Sequence, residues 1–301
     1  MPFTLGEALR GEAALRRDAA FDRTDFATAT EGRALAFAAD EGYLRRALEA
    51  PGVAALIVPP GLERAVPERL GLAVAEDAQL AFYLLHNRLA EAGMGMGLGH
   101  EVDASARVHP SAVIEPGCRI GPGVEVGPGA VVMAGTVLGA GAIVGPRAVV
   151  GAEGLFSIRR PGRVLKVRHA GGVHVGPEAE IQVKVTVGRA VHPGFTRIGA
   201  RALVSTGATI SHGDCLGEDV TVGGGAVICG FTRVGARSWI GPNATVANLI
   251  EIGADARVEI GATVVRSVPA GGRYSGIFAR SHAVMQRMSR ALEMLAKRSN
   301  G

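Results

Sequence analysis

Aromatic residues are scarce in this sequence. They make up only 4% of the 301 residues, although hydrophobic residues make up 48%. The core must therefore be filled by Val, Ile, Leu and Ala. Together with 44 glycines, this aliphatic content favours short strands joined by tight turns and disfavours a helical bundle.

Cysteine, net charge and long apolar runs are also sparse. Cys118, Cys215 and Cys229 are an odd number without metal-site spacing, so we expect a reduced protein that binds no metal. A formal charge of +4 without a basic stripe argues against nucleic-acid binding. No stretch has the roughly 18 uncharged apolar residues of a transmembrane segment. Charged residues also interrupt residues 1–15, where a secretory signal would lie. These absences predict a cytoplasmic protein.

The strongest pattern is an aliphatic residue at every sixth position. It extends over residues 102–150 and 198–264, with a shorter stretch in register over 175–187. This period fits neither a helix nor an alternating strand, and it is the hexapeptide pattern of a parallel β-helix. Three hexads close one triangular coil, and coils spaced by about 4.8 Å stack into a prism. We therefore predict a mainly β protein whose central domain, residues 99–272, is a β-helix of about eight coils.

The two ends of the chain have different patterns. Residues 1–98 predict a small α/β domain, with a helix over Thr4–Leu15, a buried strand at Val53–Val58 and a last helix over Leu80–Ala92. Residues 273–301 form an extension whose segment Ser281–Arg298 has helical apolar spacing and many basic residues.

Two segments interrupt the repeat. Residues 151–174 contain Phe156 and several basic residues, and residues 188–197 are one residue out of phase. Insertions in a repeat protein form loops on its outside, often on the binding face.

His212 is the best candidate for catalysis. It occupies the third position of its hexad, where small or polar turn residues usually stand, and Gly230 occupies the same position one coil later. Stacking would bring the Gly230 N–H close to whatever His212 activates. A histidine base beside a backbone oxyanion donor is a coherent acyl-transfer site. An exposed turn histidine without any function is the simpler alternative.

The remaining polar outliers are less specific. Asp214 stands where Ala, Val or Thr is usual, so it either contacts His212 or a cation of a neighbouring subunit, or lies exposed in a bulged turn. Solvent exposure or loop packing is the default for four other histidines: His109, His169, His174 and His192.

The whole chain resembles the UDP-3-O-acylglucosamine N-acyltransferases of the lipid A pathway. Five stretches carry the resemblance: Phe37–Tyr43, Val53–Val58, Val164–Gly176, Thr209–His212 and Tyr274–Phe278. It implies left-handed coils, a homotrimer, and transfer of a 3-hydroxyacyl chain to the 2-amine of a UDP-linked amino sugar. The implied donor is the phosphopantetheine group of acyl carrier protein, with no cofactor bound to the enzyme itself.

The resemblance also implies roles for individual residues. It places the general base at His212 and the oxyanion donor at Gly230. The substrate-binding positions are Tyr43, Asp40, Phe37, Phe156, Lys166, Ser205 and Asp214. The basic residues that would bind the carrier protein are Arg280, Arg287 and Arg290.

Several positions depart from the family pattern, which suggests a divergent member. Asp40 replaces an Asn, Ser205 replaces an Asp, and a second histidine expected near Asn248 is missing.

Two other functions are left open. The segment His212–Gly217 is also similar to acetyl-CoA-dependent sugar acetyltransferases. In that alternative the reaction is still acyl transfer to an amino sugar, but the donor and the acceptor are different. A non-catalytic trimeric scaffold is the alternative from another class.

Overall fold

The computed structural model describes residues 2–276 and 279–298. The chain begins with an α/β unit. Its strands are β1 (Phe3–Thr4), β2 (Ala14–Arg17), β3 (Ala20–Phe21), β4 (Arg23–Thr24), β5 (Ala34–Phe37), β6 (Val53–Val58) and β7 (Gly71–Val74). Its helices are α1 (Leu5–Ala8), α2 (Glu41–Glu49) and α3 (Ala78–Glu91), and one 3-10 turn spans Glu63–Ala65.

A five-stranded sheet in the order β2-β7-β6-β5-β4 forms the centre of this unit. Strands β4 to β7 pair in parallel, and β2 pairs antiparallel with β7. Both longer helices begin at an aspartate N-cap. Asp40 accepts the N–H of Tyr43 and Asp77 accepts the N–H of Leu80, which satisfies backbone donors that a helix leaves unpaired.

The predicted helix over Thr4–Leu15 is wrong in extent. Helix α1 ends at Ala8, and the chain continues through Gly11, at φ +96°, into strand β2. The helix ends because the backbone of its C-cap residue Leu9 is already extended, with ψ of 137°; the turn at Gly11 then uses a left-handed conformation that glycine adopts without steric cost.

The central part of the chain is a triangular prism with three parallel sheets as its faces. The first face contains Glu101–Val102, Arg119–Ile120, Thr136–Leu138, Gly172–Val175, Phe195–Ile198, Cys215–Leu216, Arg233–Val234 and Glu251–Ile252. The second contains Arg107–Val108, Glu125–Val126, Ile143–Val144, Glu180–Ile181, Leu203–Val204, Thr221–Val222, Trp239–Ile240, Arg257–Val258 and Arg273–Tyr274. The third contains Val113–Ile114, Val131–Val132, Val149–Ala152, Thr186–Gly188, Thr209–Ile210, Val227–Ile228, Thr245–Val246 and Thr263–Val264.

Strands one coil apart pair in parallel and in register, as Ile210 does with Ile228. The hexad aliphatics point inward, so Ile210 and Ile228 are fully buried, and the small residues Ala208 and Ala226 fill the space beside them. Burial of each Val or Ile side chain stabilises the folded state by about 1.5–3 kcal/mol relative to leaving that side chain exposed. The arrangement is that of a left-handed parallel β-helix, and the predicted fold class is confirmed.

The prism extends two residues beyond the predicted end at 272, because Arg273–Tyr274 pairs in parallel with Arg257–Val258. The C-terminal helix α4 spans His282–Arg298, within one residue of the predicted start. Residues 277 and 278, the last two of the stretch Tyr274–Phe278, lie outside the described residues. Of the described helices, none has the length and apolar character to span a membrane.

The boundary between the α/β unit and the prism contains buried imidazoles. His86 is fully buried, with Nδ1 at 2.6 Å from Thr24 Oγ1 and Nε2 at 2.9 Å from the Arg168 carbonyl oxygen. The His192 ring stands edge-on to that of His86, at 5.1 Å between centroids. Burial lowers the pKa of His86 from its ordinary 6.5 to about 4, and it lowers the pKa of His192 as well.

Acidification from pH 7.5 to pH 5 is expected to destabilise the fold through His86. In the unfolded chain this histidine binds a proton below about pH 6.5, whereas in the folded protein it stays neutral down to about pH 4. The stability therefore falls as the pH falls through this window, by roughly 2 kcal/mol at pH 5 for this one residue. Urea unfolding at both pH values measures the loss.

The matched variant is His86→Gln, which cannot be protonated. It should lose less stability than the wild type over the same pH interval, because the protonation penalty of His86 is absent from the variant while the other ionisable groups are present in both proteins. Equal losses in the two proteins would contradict a neutral, buried His86.

Candidate active site

His212 and Gly230 lie at one corner of the prism, between the third and first faces. Pairing of Ile210 with Ile228 puts the two residues at equivalent positions in consecutive coils. They are in close contact, because a Cβ atom built on Gly230 would lie 2.6 Å from His212 Nε2. The imidazole thus occupies the space that any side chain at position 230 would need.

Aromatic rings surround the His212 imidazole. The ring centroid of Phe231 lies at 4.9 Å and that of Phe156 at 5.7 Å, both in edge-on orientation. The ring of His169 lies at 5.2 Å. Burial among these groups lowers the pKa of His212 below its ordinary value, so the imidazole is neutral at pH 7 and has one unprotonated nitrogen.

The irregular segments meet the prism at this same corner. The segment after Ala152 leaves the third face and returns to the first at Gly172, forming an antiparallel hairpin of Ser157–Arg160 and Arg163–Lys166. Residues 189–194 likewise leave the third face and return to the first. The insertion therefore covers His212 from the side.

Gly154 of the insertion lies next to His212. A Cβ atom built on Gly154 would lie 3.1 Å from His212 Nδ1 and 3.5 Å from His169 Nε2. Glycine at this position lets the backbone of the insertion approach both imidazoles.

Asp214 stabilises the corner without contacting the His212 ring. It is fully buried, and its two carboxyl oxygens accept the N–H groups of Ser211 and Thr232, each at 2.9 Å. Burial raises the pKa of Asp214 to about 9. Among the described residues it pairs with neither His212 nor a cation of its own chain. The expectation that it lies exposed in a bulged turn is wrong, because the side chain is buried, and its contact with a cation of a neighbouring subunit stays a prediction. Its hydrogen bonds instead join the coil of His212 to that of Gly230.

The predicted substrate residues of the α/β unit lie around the start of α2. Tyr43 is exposed, with the Arg46 guanidinium 4.4 Å from its ring centroid. Phe37 is buried beneath it, at 6.2 Å between ring centroids, and packs against Phe82. Asp40 is the N-cap described above. Tyr43 is therefore the accessible ring, and Phe37 supports it from the core.

Of the remaining predicted residues, Phe156 is the one whose ring packs against that of His212. Lys166 pairs with Glu153 at 3.0 Å. Ser205 lies at the corner between the second and third faces, where its Oγ donates to Gln182 Oε1. Within one chain it therefore does not support His212. The side chains expected to bind the carrier protein are all exposed on or just before α4: Arg280, Arg287 and Arg290.

His169, Gly154 and Phe231 are the site residues that sequence reasoning missed. Phe231 carried a signal, since it is one of only nine phenylalanines and stands directly after Gly230. Its φ of +61° is unusual for a bulky residue and is imposed by the corner of the coil.

A cleft of about 570 Å³ lies beside this corner. The C-terminal end of α3, the glycine-rich linker after it, and the insertion form its walls, and His169 lines it. Within 2–276 and 279–298, no cluster of three or more His, Cys, Asp or Glu residues has the geometry to hold a metal ion.

Comparison with known proteins places part of the prism in a recognised repeat class. The family model for bacterial transferase hexapeptide, of six repeats, matches residues 117–152. The sequences of curated proteins give no match. The matched segment runs from the first face to the third over two coils of the prism, in agreement with the fold.

Three solved structures illustrate the similarity. UDP-N-acetylglucosamine acyltransferase from Campylobacter jejuni is 20% identical over 54% of this chain and 69% of its own, with a TM-score of 0.42. UDP-N-acetylglucosamine O-acyltransferase from Moraxella catarrhalis is 22% identical over 62% and 77%, with a TM-score of 0.36. GDP-perosamine N-acetyl transferase from Caulobacter crescentus is 21% identical over 80% and 74%, with a TM-score of 0.28.

Proposed function

We propose that this protein is an N-acyltransferase that moves a 3-hydroxyacyl chain from acyl carrier protein to the amine of a UDP-linked amino sugar. The observation that carries the proposal is the contact between the His212 imidazole and Gly230 at one corner of the prism. In this contact a neutral imidazole lies next to a backbone position that no side chain covers.

In the proposed reaction, His212 acts as general base. Its unprotonated nitrogen takes a proton from the acceptor amine while the amine nitrogen attacks the thioester carbonyl carbon. The Gly230 N–H, which donates to no acceptor within the described part of the chain, stabilises the resulting oxyanion. The C–S bond then breaks, the amide is formed, and His212 returns the proton to the leaving sulfur.

The surroundings of His212 suit this role. Phe156 and Phe231 restrict the ring and exclude water, and burial keeps the imidazole neutral. No carboxylate among the described residues hydrogen-bonds to the His212 ring, so packing against the aromatic edges of Phe156 and Phe231 would orient it.

The substrates would bind on two sides of the prism. Tyr43, exposed above Phe37, supplies a face for the nucleotide base. The exposed basic residues Arg280, Arg287 and Arg290 suit an acidic carrier protein. We further propose a cytoplasmic homotrimer, which is supported by the exposed apolar side chains Ile143 and Leu203 on the second face.

Acyl-transfer assays that combine each candidate acyl donor with each candidate amino-sugar nucleotide test the proposal. We expect transfer from 3-hydroxyacyl carrier protein to UDP-3-O-acylglucosamine, measured by mass spectrometry of the product. Transfer from acetyl-CoA but not from carrier protein would favour the sugar acetyltransferase alternative. No transfer from any donor to any amino-sugar nucleotide would contradict an acyltransferase and favour the scaffold.

A further inference from the structure

His169 is a buried polar side chain without a partner. It is only 5% exposed, and neither of its ring nitrogens has a hydrogen-bond partner among the residues that the structure describes. A buried polar group left unsatisfied costs about 1–3 kcal/mol. Such a group in a folded protein calls for an explanation, and a bound ligand is one.

His169 lies between the candidate base His212 and the cleft. Its ring meets that of His212 edge-on, with 5.2 Å between centroids and 78° between planes. The same residue lines the cleft of about 570 Å³, which lies within the usual size range of small-molecule sites. Its main chain is fixed there, because its N–H donates to Glu153 Oε1 at 3.2 Å.

Each charged side chain of the cleft has a hydrogen-bond or ion-pair partner. Glu153 pairs with Lys166, and Arg168 lies 3.4 Å from Glu91. Arg189 donates to the carbonyl oxygens of Gly151 and Ala134. Arg189 keeps its positive charge, but two of its guanidinium nitrogens already donate to these carbonyl oxygens. Among the described residues that line the cleft, His169 is the one whose buried side-chain nitrogens have no partner.

The chemistry of a neutral imidazole defines the ligand group. Burial and the neighbouring His212 lower the pKa of His169 to about 4, so at pH 7 the ring has one N–H donor and one acceptor nitrogen. A hydroxyl group can both accept from and donate to such a ring. A phosphate or carboxylate would instead require a positive partner.

We infer that the cleft beside His212 binds the sugar ring of the acceptor and that His169 holds one of its hydroxyl groups, so that the amine is directed to His212. This inference rests on the proposed function for the identity of the acceptor. His169 is then a substrate-binding residue that orients the acceptor, and the base remains His212.

Binding of UDP-glucosamine in the absence of an acyl donor tests the inference without turnover. We expect His169→Leu to weaken the binding of UDP-glucosamine about tenfold in calorimetry, as for the loss of a buried hydrogen bond. Its affinity for UDP alone, which has no sugar, should not change. His169→Gln, which keeps a donor and an acceptor, should restore most of the affinity.

The matched control is His174→Leu, at a half-buried histidine that packs against Phe195 on the first face and does not line the cleft. It should bind UDP-glucosamine like the wild type, and thermal unfolding of all variants checks that they fold. Equal affinity of wild type and His169→Leu, an equal loss of UDP binding, or no binding of UDP-glucosamine to the wild type would each overturn the inference.

Kinetics separate this inference from the proposed function. If transfer occurs and His169→Leu leaves the KM for the acceptor unchanged, the role of His169 fails while the function stands. If no donor supports transfer but the calorimetric pattern is obtained, the function fails while the sugar site stands.

Discussion

His212→Ala is expected to lower kcat of acyl transfer by about 10²–10⁴-fold, the range for loss of a positioned general base. The acceptor amine would then have to lose its proton to water while it attacks the thioester. The fold should remain intact, because the ring of His212 is only partly buried and lies at the outside of a corner. Initial rates of product formation with saturating donor and acceptor measure the effect, and His212→Gln should be as inactive as the alanine variant.

The matched control for this substitution is His109→Ala. His109 is an exposed histidine at another corner of the prism, where it interacts with Ser111. Its removal should leave kcat within about twofold of the wild type. If His212→Ala retained a rate close to that of the wild type, the imidazole would not be the base, and the scaffold alternative would gain support.

The prism could be predicted from the sequence almost completely, because its information is local and repeated. Each hexad contains one buried aliphatic residue and one turn, and the same pattern recurs in the next coil. The sequence alone therefore predicts that Ile210 pairs with Ile228, 18 residues later. The same register places His212 beside Gly230. The α/β unit is harder to predict, because the apolar spacing of Thr4–Leu15 does not reveal that the backbone becomes extended at Leu9.

The surroundings of His212 could not be predicted, because they come from a segment that has no period. The path of residues 152–171 decides that Gly154 and His169 contact the imidazole, and nothing in the hexad pattern encodes that path. Asp214 shows a related difficulty. A buried carboxyl group needs partners, but the sequence does not reveal that the backbone N–H groups of Ser211 and Thr232 converge on it.

Gly230→Ala is expected to lower kcat by about 10²-fold while the coil still forms. The added methyl group would lie 2.6 Å from Nε2 and 2.8 Å from Cδ2 of His212, so the imidazole has to move. The backbone tolerates alanine, because Gly230 is not among the residues with positive φ. A displacement of about 1 Å at a reacting group is sufficient to cost 10²-fold in rate. The same acyl-transfer assay measures kcat, and thermal unfolding measures the stability of the variant.

Gly224→Ala is the matched control, because Gly224 has the same hexad position one corner earlier in the same coil. Its new Cβ atom would lie 3.2 Å from the Thr206 carbonyl oxygen and would meet no imidazole. The two variants therefore add the same methyl group at equivalent corners and differ in what that group touches. We expect Gly224→Ala to lose some stability but to keep its kcat. If both variants lost activity equally, the loss would reflect distortion of the prism. Only a loss specific to Gly230→Ala supports a reaction centred between this glycine and His212.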